Sequence, residues 1–369
     1  MGFLSGFEFR TLIAPCDPEV FFAQDWNLRP RVERRGLREF YADLLPVAVI
    51  DDVLAMTSQN GNGHEISELD IDAALRRLEQ GASLVLSQAQ HQIPSLARIC
   101  RILHAELGFR ASADVEVSMP GNKPRPAEAT QLHRFVMQIR GRRGWLLDDV
   151  PGGAQPDQSS SAPEHILETG DLLYLPPGHV AQHRTTGDES VMATISLQTP
   201  RWVDFTGSRA LADDPTLPDV LAAPLPPGWI HHPKTELITE LSRRWRQAED
   251  VNMIETALDQ MIVAEVRGFP LDMRGRLSAV LDPEEIGIAT IFGARSDLLW
   301  VIEKSGEVHR LVTGPLTIDI ASEAQEAVEF CLTADRYSVT DLPGGMTIPD
   351  RQALLRRLAQ NMLIRKLSA

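Results

Sequence analysis

The residues that could carry chemistry are few and unevenly placed. Cys16, Cys100 and Cys331 lie far apart and are odd in number, which gives neither a zinc spacing nor a disulfide framework and fits a reducing cytoplasm. No Walker loop, dinucleotide fingerprint, Ser-His-Asp order or Cys-x-x-Cys pair occurs. His133, His179 and His183 stand in or beside segments that read as strands. A histidine so placed is more often a hydrogen-bonding or surface residue than a metal ligand. Arg143, within Gly141-Arg142-Arg143-Gly144-Trp145, offers a guanidinium that can grip a carboxylate through two parallel hydrogen bonds. Asp148 and Asp149 are close enough in sequence to be purely structural partners for it. Arg351, Arg356, Arg357, Arg365 and Lys366 make the C-terminal segment basic, but a solvated helix face in an acidic protein explains them without nucleic acid.

Bulk properties narrow the classes. A chain of 369 residues suggests two or three domains, and 43% hydrophobic with 24% charged residues is an ordinary globular balance. No run of about 18 apolar residues reads as a membrane span. The start, MGFLSGFEFR, lacks the basic opening and apolar core of a secretory signal. A net charge of -15 argues against a phosphate backbone as main partner. It is compatible with a basic protein or peptide, and equally with acidity that serves solubility alone.

The elements that must position these groups follow from periodicity. "PEVFFAQDWNLRPRVERRG" places Phe21, Phe22, Trp26 and Pro30 as a short helix packing on a larger body. Residues 68–107 read as helical. One segment is capped at Asp70 or Asp72 and ends at Gly81; the next repeats Leu96, Ile99, Ile102, Leu103 and Leu107 at helical spacing and ends at Gly108. "ASADVEVSMPG" alternates as a strand, with Val115 and Val117 on one side. "HRFVMQIRGRRGWLLDD" reads as two strands around a turn at Arg140-Gly141, and "PGGAQPDQSSSAPEH" as a polar loop. "GDLLYLPPGHVAQHRTTGDESVMATISLQTP" gives a strand, a Pro-Pro-Gly turn, a strand, a turn at Gly187 and a further strand, the rhythm of a β-barrel or sandwich. After the Pro-rich "DDPTLPDVLAAPLPPGW", which also precedes the solvated His231-His232 pair, a long helical pattern breaks near Asp250. It carries Leu237, Leu241 and Trp245 on one face, then Ile254, Leu258 and Met261. The C-terminal stretch predicts a helix, a short extended segment with Val339, a turn at Pro343-Gly344-Gly345, and a helix with Leu354, Leu355, Leu358 and Met362 on one face, which is winged-helix order.

Four segments together resemble the JmjC/cupin family of bacterial ribosomal oxygenases, which are protein hydroxylases. "FFAQDWNLRPRV" is similar to the family's early aromatic, Trp and Arg/Lys-Pro motif, and "HRFVMQIRGRRGWLL" to the strand pair after its first two iron ligands. "GDLLYLPPGHVAQH" is similar to the strand and turn carrying the last ligand, and "AVEFCLTADRYSVTDLPGG" with "RQALLRRLAQNML" to its C-terminal winged helix. The matches run in the family's order over nearly the whole chain. The resemblance implies an α+β fold: a JmjC-type double-stranded β-helix (cupin barrel) with flanking helices over 1–205, a linker and helical dimerisation region over 206–270, and a winged-helix-like domain over 271–369 that does not read DNA. Relatives of this kind use Fe(II), 2-oxoglutarate and O₂, with iron held by a facial triad of two His and one carboxylate. Its first two ligands form His-x-Asp on one strand, and its last follows the Pro-Gly turn by three residues.

Carried over residue by residue, the His-x-Asp positions fall on Glu128 and Thr130, and the last His position on Ala181. All three ligands are replaced. Arg143 stands at the family's anchor for the far carboxylate of 2-oxoglutarate. The resemblance therefore implies a pseudo-oxygenase that needs no cofactor: a homodimer binding a peptide or protein, with no nucleic-acid or membrane partner. The alternative is a divergent Fe(II)/2-oxoglutarate peptidyl hydroxylase with shifted ligands, for which Glu128, His133 and His183 would form a displaced two-His, one-carboxylate set. A third reading uses the cavity without iron, with Glu128 as acid or base.

Overall fold

The structure is a computed structural model. It describes residues 2–60, 76, 78–120, 125–127, 130–147, 164–179, 181–206, 223–244, 251–281, 285–305 and 308–368. The chain divides into two units, Met1–Pro200 and Arg201–Ala369.

The first unit holds α1 (Phe9–Ile13), α2 (Pro18–Gln24), β1 (Arg31–Glu33), α3 (Val47–Asn60), β2 (Ser83–Leu86), α4 (Pro94–Leu107), β3 (Arg110–Ser118), β4 (Arg125–Ala127), β5 (His133–Leu147), β6 (Glu164–Glu168), β7 (Leu172–Leu175) and β8 (Ala181–Gln198). Its eight-stranded sheet runs β1-β7-β5-β8-β3-β2, with β4 added on β8 and β6 on β5. The long strands β5 and β8 thus serve two layers: one half of their length pairs with β7 and β3, the other with β6 and β4. That shared pair of bent strands makes a cupin β-sandwich, and the α+β content expected from the sequence is present.

Local chemistry explains the elements. Asp17 caps α2 by accepting from Glu19 and Val20 N–H, with Pro18 at the first helical position. Pro94 opens α4, and Gly108 closes it at φ 72°. Residues Leu96, Ile99, Leu103 and Leu107 form the buried stripe of α4.

Several expectations need correction. Residues 68–107 are not helical throughout, because β2 intervenes before α4; Asp70 and Asp72 lie outside the described residues, and Gly81 ends a short helical turn at φ 86°. The Arg140-Gly141 "turn" is a bulge inside one continuous strand, with register shifts at Gln138/Arg140 and Gly141/Arg143. A bulge and a turn both call for a positive-φ glycine, so the two look alike in sequence. Here Gly141 has φ 71°, and a Cβ on it would stand 1.7 Å from the Glu189 carbonyl oxygen. Gly187 likewise interrupts nothing. Thr185 pairs with Arg143 and Ser190 with Gly141, so β8 carries extra residues opposite the β5 bulge and continues. The loop from Pro151 to Pro163 lies outside the described residues.

The second unit holds α5 (Lys234–Arg244), α6 (Val251–Arg267), α7 (Arg276–Leu281), β9 (Ile291–Ala294), β10 (Val301–Ser305), β11 (Val308–Thr313), β12 (Leu316–Ile320), α8 (Gln325–Thr333), α9 (Ile348–Gln360) and β13 (Ile364–Ser368). Helices α5 and α6 cover two stretches of the long helical pattern; the expected break near Asp250, and Trp245, lie outside the described residues. Strands β10-β11-β12 form one sheet and β13-β9 another. Phe292, Leu311, Val328, Cys331 and Leu355 share the core. Val339 sits in a 3₁₀ turn rather than an extended segment, held by Ser338 and Asp341 capping each other. Arg351 bonds the carbonyl oxygens of Thr340, Gly344 and Met346, and so ties down the Pro343-Gly344-Gly345 turn. Among the described residues no helix is long and apolar enough to cross a membrane.

Candidate functional site

Successive side chains of a strand point to opposite faces, so β5 presents two surfaces. Val136 belongs to one, where it packs with Trp145, Leu173, Leu175, Ala181 and Met192. This is the interior of the sandwich. Phe135 belongs to the other, where Phe9, Phe21, Trp26 and Tyr174 form an aromatic layer supplied by the N-terminal helices. The short helix expected around Phe21 and Phe22 therefore has its larger body: the outer face of β5 and β7.

The three ligand-equivalent positions converge in part. Gly178 N–H donates to the Thr130 carbonyl at 2.8 Å, and Ala127 of β4 pairs in register with Ala181 of β8. The turns before β5 and β8 thus meet. Thr130 Oγ1 is engaged locally with Leu132, accepting from its N–H at 3.2 Å. Ala181 is fully buried in the interior cluster. Glu128 lies outside the described residues.

His133 and His183 do not come together. His133 shares the outer face with Phe135. Its ring stacks on Trp26 at 3.6 Å and 6°, and its Nδ1 bonds Tyr174 Oη at 2.8 Å. Burial pushes its pKa down to about 3, so it is neutral. His183 lies on β8 opposite Trp145, towards the far end of β5 from His133, and packs on the Trp145 ring at 4.6 Å. It does share the face of Ala181, as two-residue spacing requires. His179, after the Pro-Pro-Gly turn, is fully buried; its Nδ1 reaches only the Pro177 carbonyl, at 3.4 Å.

Arg143 is fully buried and completely engaged. Its guanidinium donates to Glu116 Oε1 at 2.8 Å, to Ser118 Oγ at 2.6 Å and to Ser190 Oγ at 3.1 Å, and contacts His183 Nδ1 at 3.2 Å. Since a guanidinium only donates, His183 Nδ1 accepts and its proton sits on Nε2. Burial alone would raise the Glu116 pKa, but the charge and hydrogen bond of Arg143 outweigh it and hold the carboxyl below its usual value. Glu116 is thus a buried carboxylate paired with a buried cation. Among the described residues Glu116 is the carboxylate partner; Asp148 and Asp149 lie outside them.

Sequence reasoning missed Glu116, Ser118 and Ser190. The alternation of β3 put Val115 and Val117 on one side and did not single out Glu116 or Ser118 on the other. In the structure both faces of β3 are covered: α4 packs against the strand, and the polar set of Glu116 and Ser118 faces Arg143. The available signal was a buried-looking Arg143 that needed a carboxylate on an interior strand.

Known proteins bear on this geometry. Residues 85–205 match the model of the JmjC domain family. Ribosomal oxygenase 1 of Gallus gallus is 27% identical over 230 residues, covering 53% of this chain and 38% of that protein. Ribosomal oxygenase 2 of Rattus norvegicus is 26% identical over 229 residues, 53% of this chain and 49% of that protein. The matched region spans less than half of either relative. The Escherichia coli ribosomal oxygenase YcfD, solved with cobalt and 2-oxoglutarate, superimposes with a TM-score of 0.50 at 15% identity, covering 96% of this chain and 99% of that one. That likeness concerns the fold.

Proposed function

We propose that the chain is a member of the JmjC ribosomal-oxygenase family that keeps the barrel without the iron chemistry, a pseudo-oxygenase that holds a peptide or protein in the former substrate cleft. The carrying observation is the Arg143–Glu116 pair. The guanidinium at the family's 2-oxoglutarate anchor is already bound by a carboxylate of its own chain. The donor set supports the same reading. Ala181 has no donor atom, Thr130 offers a neutral hydroxyl turned to Leu132, and His133 faces the aromatic layer. Among the described residues no cluster of three His, Cys, Asp or Glu side chains could hold a metal. Those residues do not fit a facial-triad iron.

Relatives named ribosomal oxygenases point to a protein partner, and a net charge of -15 suits a basic one. We also take the chain to be a cytoplasmic homodimer joined through the helices of 206–270, with 271–369 as a winged helix that contacts protein rather than nucleic acid. The elements α7, β9, α8, α9 and β13 support a winged helix, with the β10-β11-β12 sheet inserted between β9 and α8. Light scattering should then give twice the chain mass of 40.9 kDa.

Anaerobic calorimetry with Fe(II) or Mn(II), with and without 2-oxoglutarate, tests the main reading. No stoichiometric heat is expected. Tight binding of one metal per chain, abolished by His183→Ala or Glu128→Ala, would overturn it and establish the divergent hydroxylase.

A further inference from the structure

The same inward face holds a second arginine, half-buried, and its situation is the reverse of Arg143's. Arg134 lies two residues before Val136 on β5, so it shares the inward face; its register partner Leu175 belongs to the interior cluster. Its guanidinium lies at the end of the sandwich where the turns before β5 and β8 meet, and Nη2 donates to the His179 carbonyl at 3.3 Å. Nε is buried with no hydrogen-bond partner. No carboxylate among the described residues pairs with it, and burial, with no opposing charge, holds its pKa below the usual arginine value.

A partly buried cation with no counter-charge beside it is costly, and proteins ordinarily pair it. The same chain pairs Arg143 with a carboxylate and two hydroxyls a few residues away. A second polar atom nearby is also unsatisfied: Nε2 of fully buried His179, the residue whose backbone Arg134 touches. The place is the one where Thr130 and Ala181 stand in for metal ligands. It has lost the carboxylate and histidines that would hold a cation and has gained a fixed cation of its own.

We propose that Arg134 is an anion-binding residue at the mouth of the barrel, whose ligand is a carboxylate. A guanidinium presents two parallel N–H groups to such a group, and partial burial strengthens the contact. The proposal goes beyond the pseudo-oxygenase reading, since it requires neither a protein partner nor the absence of iron elsewhere. The carboxylate has two sources, a free small acid or an Asp or Glu side chain on a peptide.

Calorimetric titration at low ionic strength separates them, using acetate and succinate on one side, and the tripeptide Ac-Gly-Glu-Gly-NH₂ against Ac-Gly-Gln-Gly-NH₂ on the other. Saturable one-to-one binding is expected for one class, weakened about tenfold or more in Arg134→Gln, the loss of one charge-assisted contact, and partly retained in Arg134→Lys. Binding by the small acids alone assigns a metabolite-type ligand; discrimination between the tripeptides assigns an acidic side chain. Arg134→Met should also melt higher than the wild type without ligand, because an unpaired charge is removed, and that gap should close as carboxylate is added. Three results overturn the proposal: no saturable carboxylate binding by the wild type, unchanged affinity in folded Arg134→Gln, or a lower melting temperature for ligand-free Arg134→Met. A fourth does too. If Glu128→Gln binds carboxylate about tenfold more tightly than the wild type, the chain already supplies its own anion.

Discussion

Glu116 on β3 and Arg143 on β5 meet at 2.8 Å across the strand that separates them, with the arginine side chain wholly buried. The pair converts a possible ligand anchor into a structural bond. It also makes the barrel interior depend on a carboxylate that the alternation of its strand does not single out.

Removing one member should therefore be severe. Glu116→Ala leaves a buried guanidinium uncompensated, and a loss of about 3–5 kcal/mol is expected. Replacing both, as Glu116→Leu with Arg143→Met, should recover most of it, because two apolar groups carry no desolvation cost. Urea denaturation of the two variants checks this; a double variant no better than the single would sink the argument.

Stability should fall with acid in two separate windows. His133 titrates at about 3 in the folded chain and near 6.5 when unfolded. Between those values the unfolded state binds more protons, so stability rises with pH across the window and is lost as pH falls, by up to about 1.4 kcal/mol per unit. Glu116, depressed by its ion pair, adds a loss that begins only near the ordinary carboxylate pKa. His133→Phe, which keeps a ring on Trp26, should flatten the slope from pH 6.5 to 5, where His133 acts alone, and reduce it below that, where the Glu116 loss remains. Denaturation series at stepped pH would show it.

Restoring a histidine at the last ligand position should not restore a metal site. Ala181 is fully buried among Trp145 and its neighbours, so Ala181→His overpacks the interior and should cost about 1–3 kcal/mol. Thr130 supplies no carboxylate. Metal analysis after dialysis against Mn(II) is expected to find none retained, and stoichiometric metal would contradict this account.

Gly141→Ala should be among the most damaging exposed-strand substitutions. At φ 71° an alanine is strained, and its Cβ would meet the Glu189 carbonyl at 1.7 Å. A loss of about 2 kcal/mol or more is expected, whereas Arg140→Ala, whose partner Glu189 is solvent-exposed, should cost under about 1 kcal/mol. Thermal melts of the two neighbours give the contrast.

The sequence by itself determined the barrel. Strand periodicity, the Pro-Pro-Gly turn before Ala181 and the Gly-Arg-Arg-Gly-Trp run are local signals, and local signals suffice to order strands within a fold. The resemblance, carried over residue by residue, is what puts Glu128, Thr130 and Ala181 at the family's ligand positions. The sequence could not distinguish a bulge from a turn at Gly141, since both demand the same backbone angle. Nor could it say which face of β3 was inward when both were to be covered. Only the tertiary structure decided that His133 faces an aromatic layer while His183 faces Arg143, that Glu116 neutralises one buried arginine, and that Arg134 has no such partner among the described residues. Those outcomes depend on which strands β5 and β8 lie against, and charge pairing in a dry interior is a property of neighbours in space.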